Sequence, residues 1–237
     1  MPSDGVLAAL ADLVLPADCA GCRATRLPLR AGVCASCAGA LEALVPHPVR
    51  PTPAPAGLPP CTAVGAYQGV LREAVLSYKE RGRHRLGRPL GVLLAGAVAA
   101  AVGRPRPVLL VPVPATARAA RERHGDHMAR LARRAVVRLR GAGWPAAATQ
   151  PLRAMPRPDS THLDSAARAA TAGEAFQVRP GAIRRLRSVT SDATIVLVDD
   201  IITTGATLAA IAVLLNGYEV PVRAAAVLAG TVRRRMN

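Results

Sequence analysis

The sequence predicts an α/β protein, a parallel sheet flanked by helices, preceded by a small cysteine-bearing module. Three observations predict it. Short runs rich in Val, Leu and Ile at residues 108–114, 194–198 and 222–228 alternate with longer apolar-periodic segments, as a parallel sheet with crossover helices requires. The hydrophobic fraction is 51% and the aromatic fraction 2%, so the core must be built from Ala, Val, Leu and Ile, which suits strands buried on both faces. Four of the five cysteines lie within residues 1–45, apart from that pattern. A chain of 237 residues supports one sizeable core and a small appendage.

Residues 1–45 are read as the cysteine module. Residues 46–60, PHPVRPTPAPAGLPP, are read as a semi-rigid linker, because proline cannot continue a helix or a central strand. Residues 61–237 form the α/β domain, with helices predicted over 70–76 and 89–102, a strand over 108–114 and an arginine-rich helix over about 117–139. After an irregular polar section follow a strand over 194–198, a helix over 207–215 stopped near Gly217, and a strand over 222–228. Strand, helix, strand implies a right-handed crossover.

The formal net charge is +16, and residues 72–140 hold 16 basic against 4 acidic side chains, whereas residues 1–60 are balanced. A localised positive field selects anionic partners, phosphorylated or polymeric. Arginine supplies all but one of the 31 basic residues, and Lys79 is the single lysine. The N-terminal stretch lacks a basic start and contains Asp4 and Asp12, unlike a secretory signal. The longest apolar run, residues 89–102, is read as too short to span a bilayer. A cytoplasmic protein without membrane insertion is expected.

Cys19, Cys22, Cys34 and Cys37 form two C-x-x-C pairs separated by 11 residues. Four thiolates at such spacing suit tetrahedral Zn²⁺ in a closed, structural zinc-ribbon-like site. A redox pair would need only one C-x-x-C, and disulfides do not suit a reducing compartment. Cys61 is read as a small buried hydrophobe and His47 as a surface residue.

The strongest chemical signal is VLVDDIITTGAT, residues 196–207. A continuous apolar strand delivers Asp199 and Asp200 to its C-terminal edge, where open α/β sheets bind ligands. Thr203, Thr204, Gly205, Ala206 and Thr207 then open a helix, directing backbone N–H groups and hydroxyls at a phosphate with the positive end of the helix dipole behind it. Carboxylates beside a phosphate cradle repel phosphate but accept hydrogen bonds from ribose hydroxyls, so the pair of features spells a sugar 5-phosphate. No G-x-x-x-x-G-K-[ST] loop is present.

This stretch resembles the ribose-5-phosphate signature of type I phosphoribosyltransferases. With the N-terminal four-cysteine module, the layout is similar to that of the ComF family over nearly the whole chain. SYKERGRHRLGRPLG, residues 77–91, is similar to the family's lysine- and arginine-rich segment, and LLVPVPATARAARERHGDH, residues 109–127, to its V-P-V-P strand and R-x-R-G-F-N-Q loop, with the Phe-Asn-Gln portion altered. The resemblance implies the type I phosphoribosyltransferase fold and binding of 5-phosphoribosyl-1-pyrophosphate with Mg²⁺. Asp199 and Asp200 would meet the ribose hydroxyls directly or through Mg²⁺, and Thr203–Thr207 the 5-phosphate. Arg118, Arg121 and Arg123, after the V-P-V-P strand, become candidates for pyrophosphate, since guanidinium grips phosphate oxygens bidentately.

Lys79 lies in a polar, flexible-looking segment between two helices, the place for a lid cation, and is the one candidate catalytic residue. His124, His127 and His162 are weaker acid–base candidates, none paired with a carboxylate in sequence. The expected activity is transfer of the phosphoribosyl group to an unidentified nitrogen acceptor. The alternatives are a non-catalytic sensor of the ribosyl pyrophosphate and a factor that handles single-stranded DNA with DNA-uptake machinery proteins, as ComF resemblance implies. Scarce aromatics disfavour a stacking platform for single strands.

Overall fold

The computed structural model describes residues 18–123, 125–155, 175–188 and 192–231. In chain order the helices are α1 (Ala35–Glu42), α2 (Gly69–Glu80), α3 (Gly87–Val102), α4 (Ala117–Glu122), α5 (His127–Arg140), α6 (Pro180–Arg187) and α7 (Ala206–Gly217). The strands are β1 (His47–Val49), β2 (Cys61–Ala66), β3 (Val108–Pro112), β4 (Ala146–Ala148), β5 (Leu152–Ala154), β6 (Phe176–Val178), β7 (Thr194–Ile202) and β8 (Val222–Gly230).

Six strands form one sheet in the order β1-β2-β8-β7-β3-β4. Only β1 runs antiparallel to its neighbour; the other pairings are parallel. Alternate residues of a strand face opposite sides, and here both sides are covered. Val196, Val198, Ala226 and Leu228 pack with Leu90, Leu94, Leu131 and Leu139 of α3 and α5. Ile195, Leu197, Ala225 and Val227 pack with Leu208, Ile211 and Leu215 of α7 and with Ile183 and Leu186 of α6. Burial on both faces explains why these strands read as unbroken apolar runs. β5 and β6 form a separate two-stranded antiparallel sheet beside the second face.

Four differences from the sequence expectations have physical causes. The arginine-rich helix is two helices: Gly125 takes φ +121, which only glycine adopts readily, and Asp126 caps the next helix by accepting from Ala129 N at 2.9 Å. The proline-rich stretch is not wholly a linker, since His47–Val49 pair with β2 at the sheet edge, where Pro48 withdraws no needed donor. Lys79 sits in the last turn of α2 rather than in a flexible segment. The apolar run extends backward through a 3₁₀ turn to a helical stretch His84–Val102 of 19 residues, long and apolar enough to cross a bilayer. Leu86, Leu90 and Leu94 of that stretch are nevertheless fully buried in the protein core, and each such burial stabilises the fold by about 1.5–3 kcal/mol.

Candidate functional site

β7 continues past its apolar run through Asp199 and Asp200 to Ile202, then turns at Thr203–Gly205 into α7. Gly205 holds φ +76, and an added Cβ would meet Leu58 at 3.0 Å and Pro51 at 3.4 Å. The proline-rich segment therefore packs against the loop from outside and keeps the backbone tight. The Ala206 N–H donates to Thr204 Oγ1 at 3.4 Å. Thr203 and Thr207 face a cavity of about 590 Å³.

The two aspartates are adjacent on the strand, so the pleat sends them to different sides, yet both line that cavity. The Asp199 carboxylate accepts from the Asp200 N–H at 2.8 Å. Burial first, and then the charge of Asp200, raise its pKa well above the usual carboxylate range. Asp200 is 6% exposed. Burial pushes it up too, but the hydrogen bond from His127 and the charge of Lys79 more than offset this and bring it down to about 2. Lys79 Nζ is 2.8 Å and His127 Nε2 3.0 Å from the same oxygen, Asp200 Oδ2. One member of the acidic pair is thus held ionised while its neighbour is driven towards neutrality, as two close carboxylates require.

The cavity brings together Lys79, Arg123, His127, Asp199, Asp200, Thr203 and Thr207, with Tyr67, Met155 and Phe176 among its apolar lining. Arg123 also pairs with Glu80 at 3.0 Å. Arg118 and Arg121, on α4, are not among the lining residues; Arg118 pairs with Glu122 along the helix. His124 and His162 lie outside the described residues. The hard oxygen donors of Asp199, Asp200, Thr203 and Thr207 fit a cation such as Mg²⁺, which is usually held by one or two carboxylates together with substrate phosphates.

The four cysteines converge beside α2. Their sulfurs all lie within 4.8 Å of one another, and Cys22 and Cys34 stand 3.9 Å apart; a tetrahedron with metal–sulfur bonds of about 2.3 Å needs edges of about 3.8 Å. Gly21 and Cys34 donate their N–H groups to Cys19 Sγ at 3.4 and 3.3 Å. Burial raises the Cys19 pKa, but these N–H donors together with that of Cys22 overcome it and bring the thiol down to about 6. Burial and the neighbouring cysteines push Cys37 up instead. The donor set fits zinc. His47 is exposed and not part of the cluster, and Cys61 is buried with its thiol donating to Pro59 O.

Residues 145–237 match the family model of the phosphoribosyl transferase domain. The chain carries a phosphoribosyltransferase-type domain. No match to a curated protein was found. The matched segment of the phosphoribosyltransferase-type domain runs from β4 through β8 and contains Asp199, Asp200 and the Thr203–Thr207 loop. The helices that deliver Lys79 and His127 precede it. His127 is the residue that sequence reasoning undervalued: its carboxylate partner lies 73 positions away, beyond any local pattern.

Proposed function

We propose that the protein binds 5-phosphoribosyl-1-pyrophosphate with Mg²⁺ and transfers the phosphoribosyl group to a nitrogen acceptor, and that it is a ComF-type protein of the cytoplasm. The observation that carries this reading is the acidic pair Asp199–Asp200 ending β7 directly before the Thr203–Thr207 loop, above a cavity inside a phosphoribosyltransferase-type domain. The ComF assignment is supported by the four-cysteine cluster preceding that domain, and a thiolate cluster of this kind suits a reducing compartment.

In this reading Thr203 and Thr207 hold the 5-phosphate at the positive end of α7, and the aspartates hold the ribose hydroxyls. Mg²⁺, bound through carboxylate and phosphate oxygens, would neutralise charge on the leaving group. Arg123, which lines the cavity, would contact pyrophosphate. The acceptor nitrogen donates its lone pair to C1 while the C1–O bond to pyrophosphate breaks and the leaving group takes the bonding pair. The chain contributes fixed charge and positioning.

The second reading, a factor that handles single-stranded DNA without turnover, is favoured by exposed arginines on α5 and α6, among them Arg133, Arg138, Arg184 and Arg185; a sensor that binds the ribosyl pyrophosphate without turnover is the third. Calorimetry with Mg²⁺ and 5-phosphoribosyl-1-pyrophosphate, followed by pyrophosphate release against a panel of bases, separates transfer from the sensor, and titration with a single-stranded oligonucleotide tests the DNA reading. Binding with release supports transfer; binding without release against every base supports the sensor. Absence of any binding means the site is misassigned.

A further inference from the structure

We propose that His127 is a positioning residue for the acidic pair: it fixes Asp200 through Oδ2 so that the carboxylate presents its other oxygen to the ligand. For its consequence in binding this inference rests on the ribosyl reading. Its geometric part stands on the structure alone.

A carboxylate at a strand end has two rotatable torsions, and a single contact leaves one of them free. Asp200 receives two, from different helices, on one oxygen: Lys79 Nζ at 2.8 Å from α2 and His127 Nε2 at 3.0 Å from α5. Lys79 is a long, flexible donor, its side chain 23% exposed, and it loses direction easily. His127 is short, planar and 6% exposed.

His127 is itself held from three sides. It is the first residue of α5, set there by the Asp126 cap. Its backbone carbonyl accepts from Tyr78 Oη at 3.0 Å. Its ring meets the Tyr78 ring edge-on with centroids 6.4 Å apart. Tyr78 precedes Lys79 on α2, so one helix turn both supplies a cation and steadies the imidazole. Among the described residues Nδ1 is buried with no hydrogen-bond partner. The ring therefore has one directional contact to make, and it makes it to Asp200. The charged and titratable groups around the pair are Lys79, Asp199, Tyr78 and Asp126, with Arg130, Arg133 and Arg134 of α5 acting on Tyr78.

The test compares His127→Gln, whose amide places an N–H close to the position of Nε2, with His127→Leu, which fills similar volume without a donor. Carboxyl ¹³C signals of the full-length protein, assigned with Asp200→Asn, should show Asp200 titrating at least about one pH unit higher in H127L than in wild type, by the loss of a charge-assisted bond. Affinity for 5-phosphoribosyl-1-pyrophosphate with Mg²⁺ should fall about tenfold or more in H127L and stay within about threefold in H127Q. Equal Asp200 titration and equal affinity in H127L and wild type would overturn the proposal. ¹⁵N-histidine spectra of the wild type need no variant: a protonated Nε2 is expected, and an Nε2 without a proton, unable to donate, also overturns it. If wild type binds no 5-phosphoribosyl-1-pyrophosphate, the ribosyl reading fails, while the carboxyl and imidazole spectra still decide whether His127 holds Asp200.

Discussion

Lys79 Nζ lies 2.8 Å from Asp200 Oδ2, so the single lysine of the chain is committed to the acidic pair. The pair is mostly withdrawn from water, with side chains 23% and 8% exposed. Removing one partner of such a pair leaves the other charge poorly solvated. Asp200 takes its low pKa of about 2, against an ordinary 3.8, from this lysine and from His127, working against burial. A folded pKa below the unfolded one is a contribution to stability. The folded value lies below the unfolded one, so this contribution is present in full above about pH 4 and is lost as pH falls towards 2. Asp200→Asn should lower Tm by several degrees at pH 7 and flatten the loss of stability between pH 4 and 2. Thermal melts across that range check it.

Asp199 should behave with the opposite sign. Burial and the neighbouring charge raise its folded pKa above 3.8, so the fold is penalised once the unfolded chain would ionise. The penalty is absent below about pH 4 and complete above the raised folded value. Asp199→Asn keeps an acceptor for the Asp200 N–H and removes the charge. Its Tm should exceed wild type at pH 7 and equal it at pH 3, while binding of 5-phosphoribosyl-1-pyrophosphate weakens, a trade of function against stability. A Tm below wild type at pH 7 contradicts this account.

Metal removal should reach beyond the cysteine module. Cys19, Cys34, Cys37 and Leu41 belong to the same buried cluster as Leu71, Val75 and Tyr78 of α2. Ser77 Oγ donates to Ala20 O at 3.3 Å, and the Arg83 guanidinium bonds Asp18. We expect about one zinc per chain by metal analysis. Cys34→Ser should lose it and, in hydrogen exchange, lose protection in α2 as well as in residues 18–45. Protection lost only before residue 46 would show the module to be energetically separate.

Gly205 tests the phosphate loop. Its φ of +76 and the contact of an added Cβ with Leu58 at 3.0 Å strain any other residue there. Gly205→Ala should weaken every ligand bearing a 5-phosphate, ribose 5-phosphate included, by about tenfold or more, the equivalent of about 1.4 kcal/mol. Pyrophosphate alone should bind as before. Calorimetry with these two probes measures both effects.

Much of this was legible in the sequence. The strands at 108, 194 and 222 announce themselves because both faces are buried, and the helices at 69 and 87 because their apolar positions recur. β4, three alanines, carries no β-branched signal, and β1 hides in a proline-rich stretch because an edge strand tolerates proline. The Asp-Asp and threonine loop could be read because its chemistry is contiguous. Lys79 and His127 could not be assigned to Asp200, because separate helices bring them to it and nothing local to either residue records the crossing. The arginines of residues 118–123 were equivalent in sequence; only the helix geometry separates the one lining the cavity from the two that do not.

That separation gives the final prediction. Arg123 lines the cavity with its side chain 22% exposed and is steadied by Glu80 at 3.0 Å, whereas Arg118 is 81% exposed and pairs with Glu122 along α4. An arginine contacting pyrophosphate makes charge-assisted bonds of about 1.5–3 kcal/mol, while an exposed pair within a helix contributes about 0.3–0.5 kcal/mol. Arg123→Ala should therefore weaken 5-phosphoribosyl-1-pyrophosphate by roughly ten- to a hundredfold and leave ribose 5-phosphate, which lacks the pyrophosphate, within about twofold. Arg118→Ala should change neither by more than about twofold. Glu80→Gln, which frees Arg123 from its partner without removing its charge, should have an intermediate effect on the first ligand alone. Equal loss of both ligands in Arg123→Ala would mean that this arginine supports the loop rather than the leaving group.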